Sequence, residues 1–220
     1  MDGTRRRVAW SYNQTPVPYL EALDQQRALR VAVEAGHAPP TLLLLHHPPT
    51  FTLGRNFQDQ HLLMSAPQLA ELGIEVHRTD RGGDVTYHGP GQLVAYPVLN
   101  LRDWKCSIRW YLRTLEEIVI RLLSEYGLHG ERVEGLTGVW VGEGKVAAIG
   151  VGIRQWVTYH GLSLNVDPDM ETYRHIIPCG IADRPVTSMA ELLGQAPPMD
   201  EVAHRLAAVF VDHMARVALP

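Results

Sequence analysis

Residues Val139–Val166, VWVGEGKVAAIGVGIRQWVTYHGLSLNV, decide the fold class. Short β-type runs, Val139–Val141, Val146–Ile153, Gln155–Tyr159 and Gly161–Val166, follow one another with Gly142-Glu143-Gly144 or a residue or two between them. Strands in direct succession form hairpins and pair antiparallel. Small residues after Lys145, and again at Gly161-Leu162-Ser163, leave room for something beside the strands.

Outward from this stretch, four segments carry helical periodicity. Tyr19–Glu34 places Leu20, Leu23, Ala28 and Val31 at helical spacing before Gly36. A capping box at Ser65–Gln68 starts a short helix that Gly73 ends. Ser107–Tyr126 aligns Ile108, Leu112, Leu115, Val119, Leu122 and Tyr126, with Gly127 as its stop. The segment from Glu201 to Arg216 repeats the pattern with Val202, Leu206, Val209, Phe210 and His213. Further strands are expected at Val8–Tyr12, Leu42–Leu45 and Gln92–Leu99. The regular βαβ rhythm of a doubly wound fold is missing, so the expectation is an α+β domain, a mixed or antiparallel sheet with helices on one face. Without repeat or linker, residues 1–220 read as a single domain.

The chain of 220 residues is 45% hydrophobic and 20% charged, an ordinary globular balance. A net charge of −4 disfavours nucleic acid as a partner, and Arg5-Arg6-Arg7 is the one dense basic run. No apolar run approaches the ~20 residues of a membrane span, and residues 1–8 lack a secretory apolar core. Two cysteines cannot form a disulfide framework, so a reducing cytoplasm is the expected location.

Three segments carry chemistry. Arg81–Gln92, RGGDVTYHGPGQ, interleaves glycine with Arg, Asp, Thr, Tyr, His and Gln. Such a loop either faces a ligand or makes a surface turn between Ile74–Val76 and Leu93–Leu99, and it lacks the spacing of a phosphate loop. Lys145, in GKVAAIG at 144–150, reads on its own as a solvated hairpin lysine. Cys179 lies between Pro178 and Gly180, a turn that can present a thiol. Cys106 stands before the Ser107 cap, and residue chemistry alone does not separate the two thiols. The eleven histidines show no metal-binding spacing, and no GxSxG is present for a serine nucleophile.

Together these segments resemble the lipoyl(octanoyl) transferase family. The resemblance rests on 81–92, on 144–150 and on Pro178-Cys179-Gly180-Ile181, with support from 49–55, 138–141 and 161–165. It implies a single domain with a mixed β-sheet flanked by helices, like the biotin and lipoate protein ligases. It also implies movement of octanoyl, or lipoyl, from octanoyl-acyl carrier protein to the lysine ε-amine of lipoyl domains. Those acceptors are the lipoyl domains of 2-oxoacid dehydrogenase complexes and the glycine cleavage H protein. No metal or other cofactor is implied. By the resemblance, Cys179 is the acyl-thioester nucleophile and Lys145 lowers its pKa and moves protons. The substrate pocket would be lined by Arg81, Gly82, Gly83, Asp84, Val85, Thr86, Tyr87 and His88, by Ala148, Ile149 and Gly150, and by Gly161, Leu162 and Ser163. Cys106 falls outside these motifs and is expected to be an inert, buried thiol. His88 either orients substrate or holds its own loop. An ATP-dependent ligase of the same fold and a non-catalytic acyl-binding module are the competing readings.

Overall fold

The computed structural model describes residues 7–178 and 184–217. Its strands are β1 (Ala9–Tyr12), β2 (Thr41–Leu45), β3 (Thr50–Leu53), β4 (Glu75–Arg78), β5 (Val85–His88), β6 (Gln92–Val98), β7 (Val139–Val141), β8 (Gly144–Arg154) and β9 (Val157–Asn165). Its helices are α1 (Tyr19–Glu34), α2 (Ala66–Glu71), α3 (Ile108–Glu125), α4 (Met189–Leu193) and α5 (Met199–Arg216). The large sheet has the order β1-β2-β6-β9-β8-β7, in which β1 pairs parallel with β2 and the other neighbouring strands pair antiparallel among the described residues. A smaller sheet, β4-β3-β5, stands beside it.

The β8–β9 hairpin is the longest pairing, in register from Ala147↔Leu164 to Arg154↔Val157. Its two-residue turn, Gln155 (φ 51°) and Trp156 (φ 63°), has the left-handed backbone of a type I′ hairpin without glycine. Tertiary bonds hold it there: Leu101 N–H donates to Trp156 O at 2.8 Å, and Arg102 donates to Gln155 O. The two runs at 155–159 and 161–166 are one strand from Val157. They read as two because of His160, whose φ of 55° interrupts the extended backbone. The Gln26 side chain meets that interruption by accepting the His160 N–H at 2.7 Å.

Helices cover both faces of the large sheet, not one. The run Leu42–Leu45 is buried on both sides: Leu42 and Leu44 join the core under α3 and α5, while Leu43 and Leu45 pack with Ala22 of α1. In α1 the buried residues are Tyr19, Ala22, Leu23, Gln26 and Val33, so Leu20, Ala28 and Val31 face solvent. In α3 the buried face is rotated toward Tyr111, Leu115, Ile118, Val119 and Leu122, and Ile108 is exposed. Ser107 caps that helix by accepting from Trp110 N–H at 3.2 Å.

The glycine-rich segment is not a surface turn. Its middle third is β5, buried throughout and paired antiparallel with β3 from Leu53↔Val85 to Thr50↔His88. Short strands of four residues alternate faces strictly. Val85 and Tyr87 therefore enter the apolar core of the small sheet with Phe51, Leu53 and Leu69, while Thr86 and His88 face the large sheet.

Candidate active site

A cleft lies between the sheets, and the pairing of β8 with β9 explains it. The register places Ala148 opposite Ser163 and Gly150 opposite Gly161, four small residues on one face of the hairpin. The alternate positions Ala147, Val151, Leu162 and Leu164 belong to the core on the opposite face, with Ile149 packed against it, and Ile149 and Leu162 also border the cleft. At Gly161 no larger residue fits: a Cβ would lie 2.1 Å from Ala95 O. Tyr19, Arg81, Gly83, Thr86, His88, Tyr96 and His160 complete the lining.

Among the residues expected at the pocket, Arg81, Gly83, Thr86, His88, Ala148, Ile149, Gly150, Gly161, Leu162 and Ser163 line this cleft. Gly82, Asp84, Val85 and Tyr87 do not. Gly82 N–H is bonded to Val151 O at 2.9 Å, which ties the loop to β8. The Asp84 carboxylate turns away to His61 Nδ1 at 2.5 Å and its own loop at Val85 N–H. Arg81 is buried, and its guanidinium donates to Thr52 O and Oγ1, Gly82 O and Asp84 O at 2.5–3.1 Å. A charge removed from water requires such partners. They also lock the loop that carries Thr86 and His88.

Tyr19, Tyr96 and His160, which no local motif marks, line the polar back of the cleft, and His47 packs behind them against Tyr96. Gln92 Nε2 donates to Tyr87 O at 3.0 Å, so its Oε1 faces His88 Nδ1 at 2.8 Å. His88 therefore carries its proton on Nδ1. Burial, with His47 nearby, holds the His88 pKa well below 6.5. Burial likewise lowers His47 to about 4, with Nδ1 on Val17 O at 2.6 Å and Nε2 facing Tyr96 OH at 2.7 Å. His160 is also lowered by burial, although Nε2 contacts Asp80 at 3.0 Å. The bonds from His160 and Tyr159 hold the Asp80 carboxyl below its usual range. At neutral pH the cleft is backed by neutral rings, a surface suited to an uncharged guest.

A second, smaller chamber adjoins the cleft, lined by Thr86, Lys145, Ala148, Asn165, Tyr173, Pro178 and Val186. Thr86 and Ala148 line both spaces and form a neck between them. Lys145 is buried at 6% exposure, unlike a solvated hairpin lysine. Its main chain is bonded to Pro185 O (2.9 Å) and Thr187 N–H (3.0 Å). Its Nζ lies 5.0 Å from the centroid of the buried Trp140 ring, and a ring face attracts an ammonium. The stem passes over Gly138 (φ 137°), where a Cβ would come within 2.6 Å of Lys145 Cε. The buried Glu116 holds that turn: it accepts from Gly138 N–H at 3.3 Å and from Arg113 and Arg132 at 2.7 and 3.0 Å.

Cys179 lies outside the described residues; Pro178, the residue before it, lines the Lys145 chamber. Cys106 is exposed, not buried. Among the described residues no group of His, Cys, Asp and Glu is arranged to hold a metal ion, and no helix is long and apolar enough to cross a membrane.

Comparison with known proteins places the chain. Residues 18–211 match the model of the lipoyl protein ligase A/B catalytic domain. An octanoyltransferase of Chloroflexus aggregans is 52% identical over 205 residues, which is 92% of this chain and 93% of that one. One from Solibacter usitatus is 49% identical over 201 residues, 91% and 89% of the two chains. The fold is shared with a bipartite lipoate protein ligase from Thermoplasma acidophilum (TM-score 0.71, 20% identity, 94% of this chain and 83% of that one). It is shared more distantly with a biotin protein ligase from Aquifex aeolicus (TM-score 0.58, 15% identity, 94% and 70%). This chain belongs to the lipoyl protein ligase A/B catalytic family, among its octanoyltransferases.

Proposed function

We propose that the chain moves octanoyl from acyl carrier protein to the lysine ε-amine of lipoyl domains, through a thioester on Cys179 assisted by Lys145. The observation that carries this reading is the pair of joined spaces. A cleft floored by small residues of β8 and β9 and backed by neutral rings opens, past Thr86 and Ala148, into a chamber holding a buried lysine and the residue that precedes Cys179.

The chemistry asks for those parts. Transfer from a thioester to an amide is downhill and needs no ATP. A free thiol with pKa about 8.5 is only a few per cent thiolate at neutral pH, and a cation within about 4–6 Å favours the thiolate. The Lys145 ammonium is that cation. In the first half-reaction that ammonium gives a proton to the carrier's departing thiolate; in the second the incoming lysine, with pKa about 10.4, must lose a proton as it attacks, and the now neutral Lys145 receives it. The octanoyl chain gains about 0.8 kcal/mol per methylene buried in the cleft.

An ATP-dependent ligase would need an activated acyl adenylate, and a binding module would need neither Cys179 nor Lys145. Turnover of a lipoyl domain with octanoyl-carrier protein alone, compared with free octanoate plus ATP, separates the readings. The first mixture is expected to modify the domain and the second to leave it unmodified. Modification only with octanoate and ATP would replace the transferase reading by the ligase one.

A further inference from the structure

We infer that Gln92 is a positioning residue of the transfer reaction: its one amide holds His88 of the cleft and Asn165 and Tyr173 of the chamber in fixed relation. The inference rests on the transfer reading above. It concerns the end of the glycine-rich motif, residues 89–92, which lines neither space.

The turn at 89–92 delivers the amide. Gly91 (φ 80°) reverses the chain after β5, and a Cβ there would lie 1.9 Å from Asp167 O. Gly91 O accepts from Asp167 N–H at 2.8 Å, and Gln92 N–H closes the turn on Gly89 O at 3.1 Å. β6 therefore begins beside the end of β5. Gln92 is fully buried there, opposite Asn165 of β9.

Both ends of the side chain are used. Its Nε2 lies 3.0 Å from Tyr87 O, 2.9 Å from Asn165 Oδ1 and 3.0 Å from Tyr173 OH, and its Oε1 lies 2.8 Å from His88 Nδ1. A carbonyl can only accept, so Tyr87 O fixes which end of the amide is nitrogen. Oε1 must then accept from His88 Nδ1–H, and the neutral ring carries no proton on Nε2. Asn165 is oriented by the same logic. Its Nδ2 donates to Thr187 O at 3.0 Å, which leaves Oδ1 to accept from Gln92 and from the Tyr173 hydroxyl at 2.9 Å. Thr187 N–H donates in turn to Lys145 O at 3.0 Å. One connected set of bonds thus runs from a ring of the cleft to the main chain of the chamber's lysine. A buried network with its members satisfied specifies a single arrangement. Reaction geometry tolerates little displacement, and an error of about 1 Å can cost about 10²-fold in rate. Because Gln92 acts through its partners, its loss should reach kcat and leave KM nearly alone.

Gln92→Leu keeps the bulk and removes both ends of the amide; Gln92→Glu keeps an acceptor for His88 and removes the donors. Nitrogen NMR of His88 at neutral pH reads the tautomer, and steady-state transfer from octanoyl-carrier protein to a lipoyl domain reads kcat and KM. The unsubstituted protein should show His88 protonated on Nδ1, a pattern that glutamate should keep and leucine should lose. Both variants should lower kcat by about 10- to 10²-fold, with KM within about threefold of the parent. Either variant transferring within about twofold of the parent, or a raised KM at parental kcat, would overturn the assignment. So would His88 protonated on Nε2 in the parent, or still held on Nδ1 alone in the leucine variant. If leucine does not fold, glutamate decides by its rate. Absence of octanoyl transfer by the unsubstituted protein would instead remove the reading beneath, while the His88 tautomer would still report on Gln92.

Discussion

The cleft and the Lys145 chamber share a wall at Thr86 and Ala148 yet are built by opposite means. Missing side chains make the cleft: Ala148, Gly150, Gly161 and Ser163 leave a strip of bare sheet, and neutral rings close its back. A side chain held in place makes the chamber, with Lys145 pressed between Trp140 and Gly138 and the turn beneath it clamped to α3 by Glu116. In the proposed mechanism one space holds the guest and the other acts on it. Substitutions should therefore separate into those that change binding and those that change chemistry.

The largest effect belongs to the chamber. Lys145→Met keeps much of the length but removes the charge and the proton. Octanoyl transfer at neutral pH is expected to fall by about 10²–10⁴-fold, while octanoyl binding in the cleft changes little. Alkylation of Cys179 should shift to higher pH as the thiolate loses its cation. Lys145→Arg keeps a cation that cannot release its proton, so acyl-enzyme formation should suffer less than transfer to the lipoyl domain. Arginine as active as lysine in that second step would show that Lys145 is not the base.

An intermediate effect belongs to the cleft. Ser163→Leu restores a side chain to the bare strip. If it displaces two methylenes of the guest, about 1.6 kcal/mol of burial is lost, or about fifteenfold in KM for octanoyl. A butanoyl donor should be affected less. Loss of kcat with KM unchanged would mean that the two spaces do not divide the work in this way.

A separate effect is on stability and its pH dependence. His47, held near 4 by burial against an ordinary 6.5, stays unprotonated in the fold at pH values where the unfolded chain takes up a proton. Its contribution is complete above pH 6.5 and is lost as pH falls toward 4, at most about 3 kcal/mol. His88 and His160 shift in the same direction, so the cleft has a common acid limit. The urea midpoint should fall over that window, and less steeply in His47→Gln. Equal slopes would mean that His47 is not among the groups responsible.

The large sheet was legible because long periodic segments declare themselves. The α1 boundaries follow from the pattern at 19–34, and the hairpin follows from VGEGKVAAIGVGIR. Which face is buried was less legible: Leu20, Val31 and Ile108 are exposed because Tyr19, Gln26 and Tyr111 turn inward to partners distant in sequence. The small sheet was hidden, since β3, β4 and β5 have four residues each and glycines stand beside β5. Without β5 the alternation that sends Thr86 and His88 to the cleft and Val85 and Tyr87 to a core could not be seen. The polar back of the cleft depends on Tyr19, His47, Tyr96 and His160, brought together only by the sheet, and no local motif marks them.

In the proposed mechanism octanoyl passes through Cys179. Intact mass after brief mixing with octanoyl-carrier protein, without acceptor, tests it most directly. One octanoyl group should appear on the chain, leave with hydroxylamine, persist in Cys106→Ala and be absent from Cys179→Ala. An adduct retained in Cys179→Ala and lost in Cys106→Ala would contradict the claim and move the chemistry to the exposed thiol at the start of α3.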